Sequence, residues 1–166
     1  MNIRKLLSAA VASVMAMSLL CSCGQSGVLR LGTGNTGGNY YSYGTLLHEL
    51  DENGIEVKKT AGSQANLRLM NEGFIDMAIV QSDVLSEAVN GVGDFENEPV
   101  SGVRAVAGLY DEAFQIVVRS KSDINSIADL KGKKISVGDE GSGVAKNAEY
   151  LLLSAGVAFS SVEPVY

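Results

Sequence analysis

Residues 29–44 read LRLGTGNTGGNYYSYG. A short apolar run enters a glycine-rich turn and leaves it as a stretch with helical spacing. Gly32, Gly34 and Gly37 stand at the spacing G-x-G-x-x-G, which lets a backbone turn tightly between a strand and a helix and come close to a neighbour. The same succession recurs downstream. Strand-like segments at Glu56 to Thr60, Met77 to Val80 and Lys133 to Val137 each run through a Gly, Ser, Asn or Gln junction into an amphipathic segment. Strands that alternate with helices in this way build a parallel sheet covered by helices, so the chain is of the α/β class.

The spacing predicts strands over 29–33, 56–60, 77–80, 133–137 and 162–166, and helices over 40–52, 64–72, 83–90, 124–130 and 144–155. Tyr43, Leu46, Leu47 and Leu50 fall at i, i+3, i+4 and i+7, and Leu67, Met70 and Phe74 at i, i+3 and i+7. These are the expected core-facing stripes. Gly91 to Ser101 reads as a solvated loop. Val103 to Leu109 and Phe114 to Arg119 are apolar and rich in β-formers, and read as two strands crossing between lobes. The expected organisation is a leader over 1–22, a tether over 23–28, a first lobe over 29–109, and a crossing strand with an incomplete second lobe over 110–166.

The first residues do not belong to the core. Arg4 and Lys5 precede an apolar run from Leu6 to Leu20, and Leu20-Cys21-Ser22-Cys23 follows, the order of charge, apolar stretch and small-residue processing site found in secretory signals. With Leu20 and Ser22 before it, Cys23 also fits the bacterial lipobox, whereas Cys21 does not. Both cysteines of the chain lie here, so the mature chain has no second thiol for a disulfide and Cys23 reads as an acylation site. Loss of Arg4 and Lys5 moves the net charge from -6 to -8, which argues against nucleic acid and against a basic surface docking on lipid. An extracytoplasmic protein lipid-anchored to the bacterial cell membrane is expected.

The junctions at Gly34 to Tyr40, Ala61 to Asn66, Gln81 to Asp83 and Asp139 to Val144 precede helix N-termini and are poor in Lys and Arg. They offer free backbone N–H groups, the positive end of a helix dipole and short hydrogen-bonding side chains, a combination suited to a carboxylate or another small anion. Ser63, Ser82 and Ser142 are equally suited to capping those helices. The dinucleotide reading fails at the second strand, which ends Lys58-Lys59-Thr60 where an acidic residue is needed for the ribose. Gly141-Ser142-Gly143 lacks the first glycine of a nucleophile elbow, because residue 140 is Glu. The only histidine, His48, sits inside a helical stretch, so a Ser/His/Asp site and a zinc site are not expected. Asp83 and Glu112 are a possible carboxylate pair, read as acceptors from a ligand amine or from backbone groups. No catalytic residue, metal or cofactor is expected.

The succession GTGNTGGNYY, AGSQANLRLMNEG, DMAIVQSDV, GLYDEAFQIVVR, IADLKGKKISVGDEGSG and LLLSAGV resembles the TAXI family, the solute receptors of tripartite ATP-independent periplasmic (TRAP) transporters. The resemblance runs from about Leu29 to Val157. It implies a two-lobed type II periplasmic binding fold that holds an organic acid or acidic amino acid and hands it to a TRAP-type membrane permease. Carried over where the motifs match, the ligand-binding positions are Thr36, Gly37, Gly38 and Tyr40; Ser63 and Asn66; Gln81 and Ser82; Tyr110 and Glu112; and Ser142 and Gly143. Val144 departs from the Thr common after the GSG turn. Members of that family are longer, so the resemblance implies a second lobe only begun. The competing readings are a receptor for an ATP-driven importer on the same kind of fold, a ligand-sensing module for a membrane kinase and, as the outsider, an exported enzyme.

Overall fold

The computed structural model describes residues 27–166; the leader, Cys21 and Cys23 lie outside the described residues. Strand β1 (Leu29–Gly32) is flanked on both sides by parallel partners, β2 (Ile55–Lys58) and β3 (Met77–Ala78), in the order β2-β1-β3. Helices α1 (Asn39–Leu50) and α2 (Ser63–Asn71) connect them, and α3 (Ser82–Asn90) follows β3. A second, two-stranded parallel sheet pairs β4 (Lys134–Ser136) with β5 (Glu163–Val165), joined by α4 (Gly143–Ser154). Parallel strands need such crossovers, which is why strand–helix alternation along the chain marks this class. The α/β class with parallel sheets and flanking helices is therefore shown.

Each sheet has its own core. Beside the first, Leu67, Val84, Ala88, Phe95 and Val100 are buried together, with Val80, Leu85 and Val103 packed against them. Beside the second, Leu130, Leu152, Val157 and Val162 form a smaller cluster with Ile124, Ile127, Ile135 and Phe159. Arg30 ties the far end of the first sheet together. Its guanidinium donates to both oxygens of Asp76 at 2.8 and 2.9 Å, and its backbone N–H donates to the same carboxylate at 2.9 Å. Those hydrogen bonds hold the Asp76 carboxyl at about 2, well below its ordinary value.

Five expectations are corrected. On α1 the stripe of Tyr43, Leu46 and Leu50 faces outward, Leu50 being 77% exposed. The face against the sheet centres on Gly44, where a Cβ would lie 2.5 Å from Thr33 Cγ2 and 3.3 Å from Val57 Cγ1. The missing side chain lets the helix axis come close, and the rotation this requires carries 43, 46 and 50 away from the core. Phe74, expected to continue the α2 stripe, is also exposed. Within 91–101, Gly93–Phe95 form a 3₁₀ turn, and Phe95 and Val100 enter the core rather than solvent.

A fourth correction concerns 103–109 and 114–119, which join no ladder among the described residues. Val106 and Val117 stand out to solvent. β-Propensity measures fit to a paired, half-covered surface, so apolar β-formers without a neighbouring strand stay extended and unassigned. The helix expected over 124–130 shortens to a 3₁₀ turn at Ile127–Leu130, where Ser126 and Asp129 form a capping box.

Candidate functional site

The first three expected junctions meet at Ser63. Its hydroxyl accepts from the backbone N–H of Gln81 at 3.0 Å and lies 3.4 Å from the Tyr40 hydroxyl, so one 1%-exposed side chain touches the loops that follow β1, β2 and β3. The reason is geometric. In a parallel sheet every strand ends at the same edge, and the helix N-termini that follow are brought side by side there.

The fourth junction, from the second sheet, closes on the same place. The backbone N–H of Ala65 donates to the carbonyl of Gly141 at 3.2 Å, and a Cβ on Gly62 would stand 3.5 Å from the Cα of Ser142. Gly62 has φ 121° and ψ -150°, a conformation that side chains disfavour. A Cβ on Gly143 would overlap Gln81 Oε1 and lie 3.0 Å from Ser63 Oγ. The Asn35 amide donates to the Asp139 carboxylate between the first and fourth junctions.

Glu112 completes the cluster from the crossing segment. Its carboxylate accepts from Gln81 Nε2 at 2.8 Å and from the Tyr110 hydroxyl at 3.2 Å. The Tyr110 ring stacks on Tyr43, with centroids 4.9 Å apart and planes inclined by 12°. Burial pushes the Tyr40 phenol up to about 12, with the charges of Glu112 and Asp83 adding to the shift against the Ser63 hydrogen bond. Burial, then Glu112, raises Tyr110 as well. Both phenols stay protonated at neutral pH and present O–H donors. Beside this cluster a cavity of about 820 Å³ runs from Asn39, Gln81 and Glu112 to Leu151 and Leu152.

The three serines differ. Ser142 is a cap, its hydroxyl accepting from the N–H of Ala145 at 3.0 Å. Ser63 and Ser82 are instead the first helical residues after Gly62 and Gln81, neither of which makes a side-chain cap. Asn66 is fully buried below the cluster, and its amide donates to the carbonyls of Thr33 at 2.7 Å and Ile79 at 2.9 Å. It fastens the ends of β1 and β3 and presents no donor to the space above. Thr36, Gly37 and Ser82 are exposed, and Gly38 is half-buried, its carbonyl accepting from the N–H of Ser42.

Of the three glycines in the opening turn, Gly32 is the one that packing demands. A Cβ there would lie 2.5 Å from Ile75 Cδ1 and 2.7 Å from Asn66 Oδ1, whereas at Gly37 it would meet open space. Sequence reasoning missed Tyr43 as a member of the cluster, and although Asn35 and Asp139 lie in two of the expected junctions it did not pair them. Tyr43 was hidden by its helical spacing, and no local signal links Asn35 to Asp139. His48 lies away from the cluster, its Nδ1 paired with the Ile55 carbonyl at 2.7 Å. Among the described residues no three His, Cys, Asp or Glu side chains are grouped to hold a metal, and no helix is long and apolar enough to cross a membrane.

Solved structures similar to this chain include two sulfonate-binding proteins. The alkanesulfonate-binding protein SsuA from Xanthomonas axonopodis pv. citri, bound to MOPS, is 18% identical with a TM-score of 0.48; the match covers 84% of this chain and 47% of that one. The periplasmic aliphatic sulphonate binding protein SsuA from Escherichia coli is 21% identical with a TM-score of 0.44, over 84% and 46% of the two chains. The chain thus spans about half the length of these structures. Its match to a sequence family covers residues 31–166, which takes in every described strand and helix except the first two residues of β1, and on that match the chain belongs to the NMT1-like family.

Proposed function

We propose that the protein is an extracytoplasmic solute-binding lipoprotein that captures a small anionic ligand, an organic acid or acidic amino acid, and delivers it to a TRAP-type membrane permease. The observation that carries this reading is the convergence of four helix N-termini on Ser63, Gln81 and Gly143 with no Lys or Arg in the cluster. Backbone N–H groups and helix dipoles there favour a carboxylate or sulfonate. Glu112, held by Gln81 and Tyr110, accepts from an amine on the same ligand, and the tyrosine hydroxyls supply donors. Tyr40, Ser63, Gln81, Tyr110, Glu112, Ser142 and Gly143 are the residues assigned to this role; Asn66 acts beneath them.

Calorimetric titration with dicarboxylates, acidic amino acids and alkanesulfonates tests the reading. Ser63→Ala is expected to weaken the ligand that binds by on the order of 1 to 3 kcal/mol, the range for losing a hydrogen bond to a charged group. Unchanged affinity in Ser63→Ala together with Ser142→Ala would assign both hydroxyls to the helices alone.

The anchor is assigned to Cys23, outside the described residues. One saturated chain binds a membrane reversibly, and the several chains of a bacterial lipoprotein hold it firmly. Cys23→Ala is expected to move the protein to the soluble fraction and to abolish fatty-acid labelling; a labelled, membrane-bound variant would overturn the assignment.

A further inference from the structure

Lys146 is a charged side chain almost wholly withdrawn from water, with 7% of it exposed. It projects from α4, beside the second sheet, and its ammonium lies 2.9 Å from Asp94 Oδ2 on the 3₁₀ turn packed beside the first. A second carboxylate, Glu149 on Lys146's own helix, stands 3.5 Å away at i+3, and the Tyr150 ring centroid is 4.9 Å from the ammonium. Glu87 on α3 also faces it as a charge, and Arg68 on α2 faces Asp94. The cluster borders a cleft of about 660 Å³ between the sheets.

Asp94 Oδ2 accepts a second hydrogen bond, 2.7 Å from Gln64 Nε2. Gln64 adjoins Ser63, so one turn of α2 touches the ligand cluster with one residue and the ion pair with the next. Burial works against the Lys146 ammonium, yet the Asp94 hydrogen bond and charge outweigh it and its pKa is raised; Asp94, bonded by Lys146, is correspondingly lowered. Leaving a withdrawn charge without a partner is costly, and if Asp94 moves away the ammonium keeps Glu149, at 3.5 Å, as its remaining ion-pair partner.

We propose that Lys146 is a two-position latch between the sheet units: it holds them together through Asp94 and, when they separate, passes to Glu149, which neutralises it in the open arrangement. Units joined by a limited polar interface move relative to one another by default, and the equilibrium follows whatever is bonded differently in the two states. Here that difference is the Asp94 contact, because Glu149 already lies within ion-pair distance and becomes the sole partner on opening. Gln64 couples that contact to the α2 N-terminus, so contacts at Ser63 bias the latch. The inference concerns the chain's own closure and stands apart from which solute it carries.

One amide reports the closure directly. The N–H of Ala65 lies in the first turn of α2, where no intrahelical acceptor exists, and its partner is the Gly141 carbonyl of the other unit. The next amide, Asn66, donates within α2 to the Gly62 carbonyl at 2.8 Å. Hydrogen exchange of the two, followed by NMR on the whole chain without ligand, separates opening of the units from fraying of the helix. Lys146→Met and Asp94→Asn are expected to speed exchange at Ala65 by about tenfold or more while Asn66 keeps its protection. Glu149→Gln, a conservative change at a half-exposed position, is expected to slow it, because the open state loses its acceptor. Unaltered Ala65 exchange in Lys146→Met, parallel loss at Ala65 and Asn66, or no slowing in Glu149→Gln would each overturn the latch.

Discussion

Phe95→Ala is expected to destabilise the protein by about 3 to 5 kcal/mol, the usual cost of emptying a buried aromatic site. Phe95 is 1% exposed and shares its cluster with Leu67, Val84, Ala88 and Val100, contributed by α2, α3 and the segment after the 3₁₀ turn. Three separate stretches therefore lose a common partner at once. The Arg68 guanidinium also lies 5.4 Å from the ring centroid, a contact that the alanine cannot make. Since Asp94 adjoins Phe95, the same cavity loosens the turn that presents Asp94 to Lys146. Urea unfolding followed by circular dichroism measures the loss, and a change below about 1 kcal/mol, the range of ordinary surface substitutions, would show the turn to be peripheral to the core.

Asn66→Asp is expected to be as severe although it alters one atom. The amide donates to two carbonyls, of Thr33 and Ile79, inside a fully buried site. A carboxylate there has no hydrogens to give and faces two oxygens without a cation beside it. It must either remain as a buried, unpaired charge, at about 3 to 5 kcal/mol, or take up a proton and satisfy at most one carbonyl. The sign of the pH effect follows. An aspartate whose carboxyl is raised in the folded state is least harmful below its ordinary value, and it costs progressively more as pH rises past that point. Thermal unfolding of the variant between pH 4 and pH 8 should show its deficit widening with pH; a constant deficit would mean that the site admits water. Because Thr33 and Ile79 directly follow β1 and β3, the same substitution is expected to displace the Tyr40 and Gln81 loops and weaken ligand binding with them.

Order and type of the elements could be read from the chain because strand–helix alternation is a local pattern. Each junction carries its own Gly, Ser or Asn signature, and the three junctions of the first sheet meet as strands of one parallel sheet require, with the fourth, from the second sheet, closing on them. What escaped reading was decided by partners distant in sequence. Gly44 rotated α1 because Thr33 and Val57 lie under it, and nothing in the spacing of Tyr43, Leu46 and Leu50 reveals that. Phe95 looked solvated among Gly, Asp, Asn and Glu neighbours, although it fills the space between two helices. Val103 to Leu109 and Phe114 to Arg119 have strand composition, but composition does not supply a neighbour. At the candidate site, hydroxyl and amide chemistry pointed to Ser63 and Gln81, which the fold brings into contact. The division of labour among the serines, with Ser142 capping and Ser63 bridging, depends on where each helix begins to within one residue, which sequence patterns do not resolve.

The extended stretch around Phe114, Ile116, Val117 and Val118 has a bearing on how the protein is kept in solution. These side chains are exposed, Val117 by 88%, and the run FQIVV contains neither proline nor charge. Backbone that joins no ladder offers its N–H and C=O groups to any chain that arrives in the same conformation, and a short uncharged run of β-formers is the template on which fibrils nucleate. Arg119 at one end and Asp111 and Glu112 at the other act as gatekeepers, repelling a second copy laid in register. Of these, Glu112 also accepts from Gln81 and Tyr110 in the cluster proposed to hold the ligand. On that proposal one carboxylate serves both recognition and protection against self-association, so neutralising it to change ligand preference is expected to lower the concentration at which the purified protein begins to aggregate.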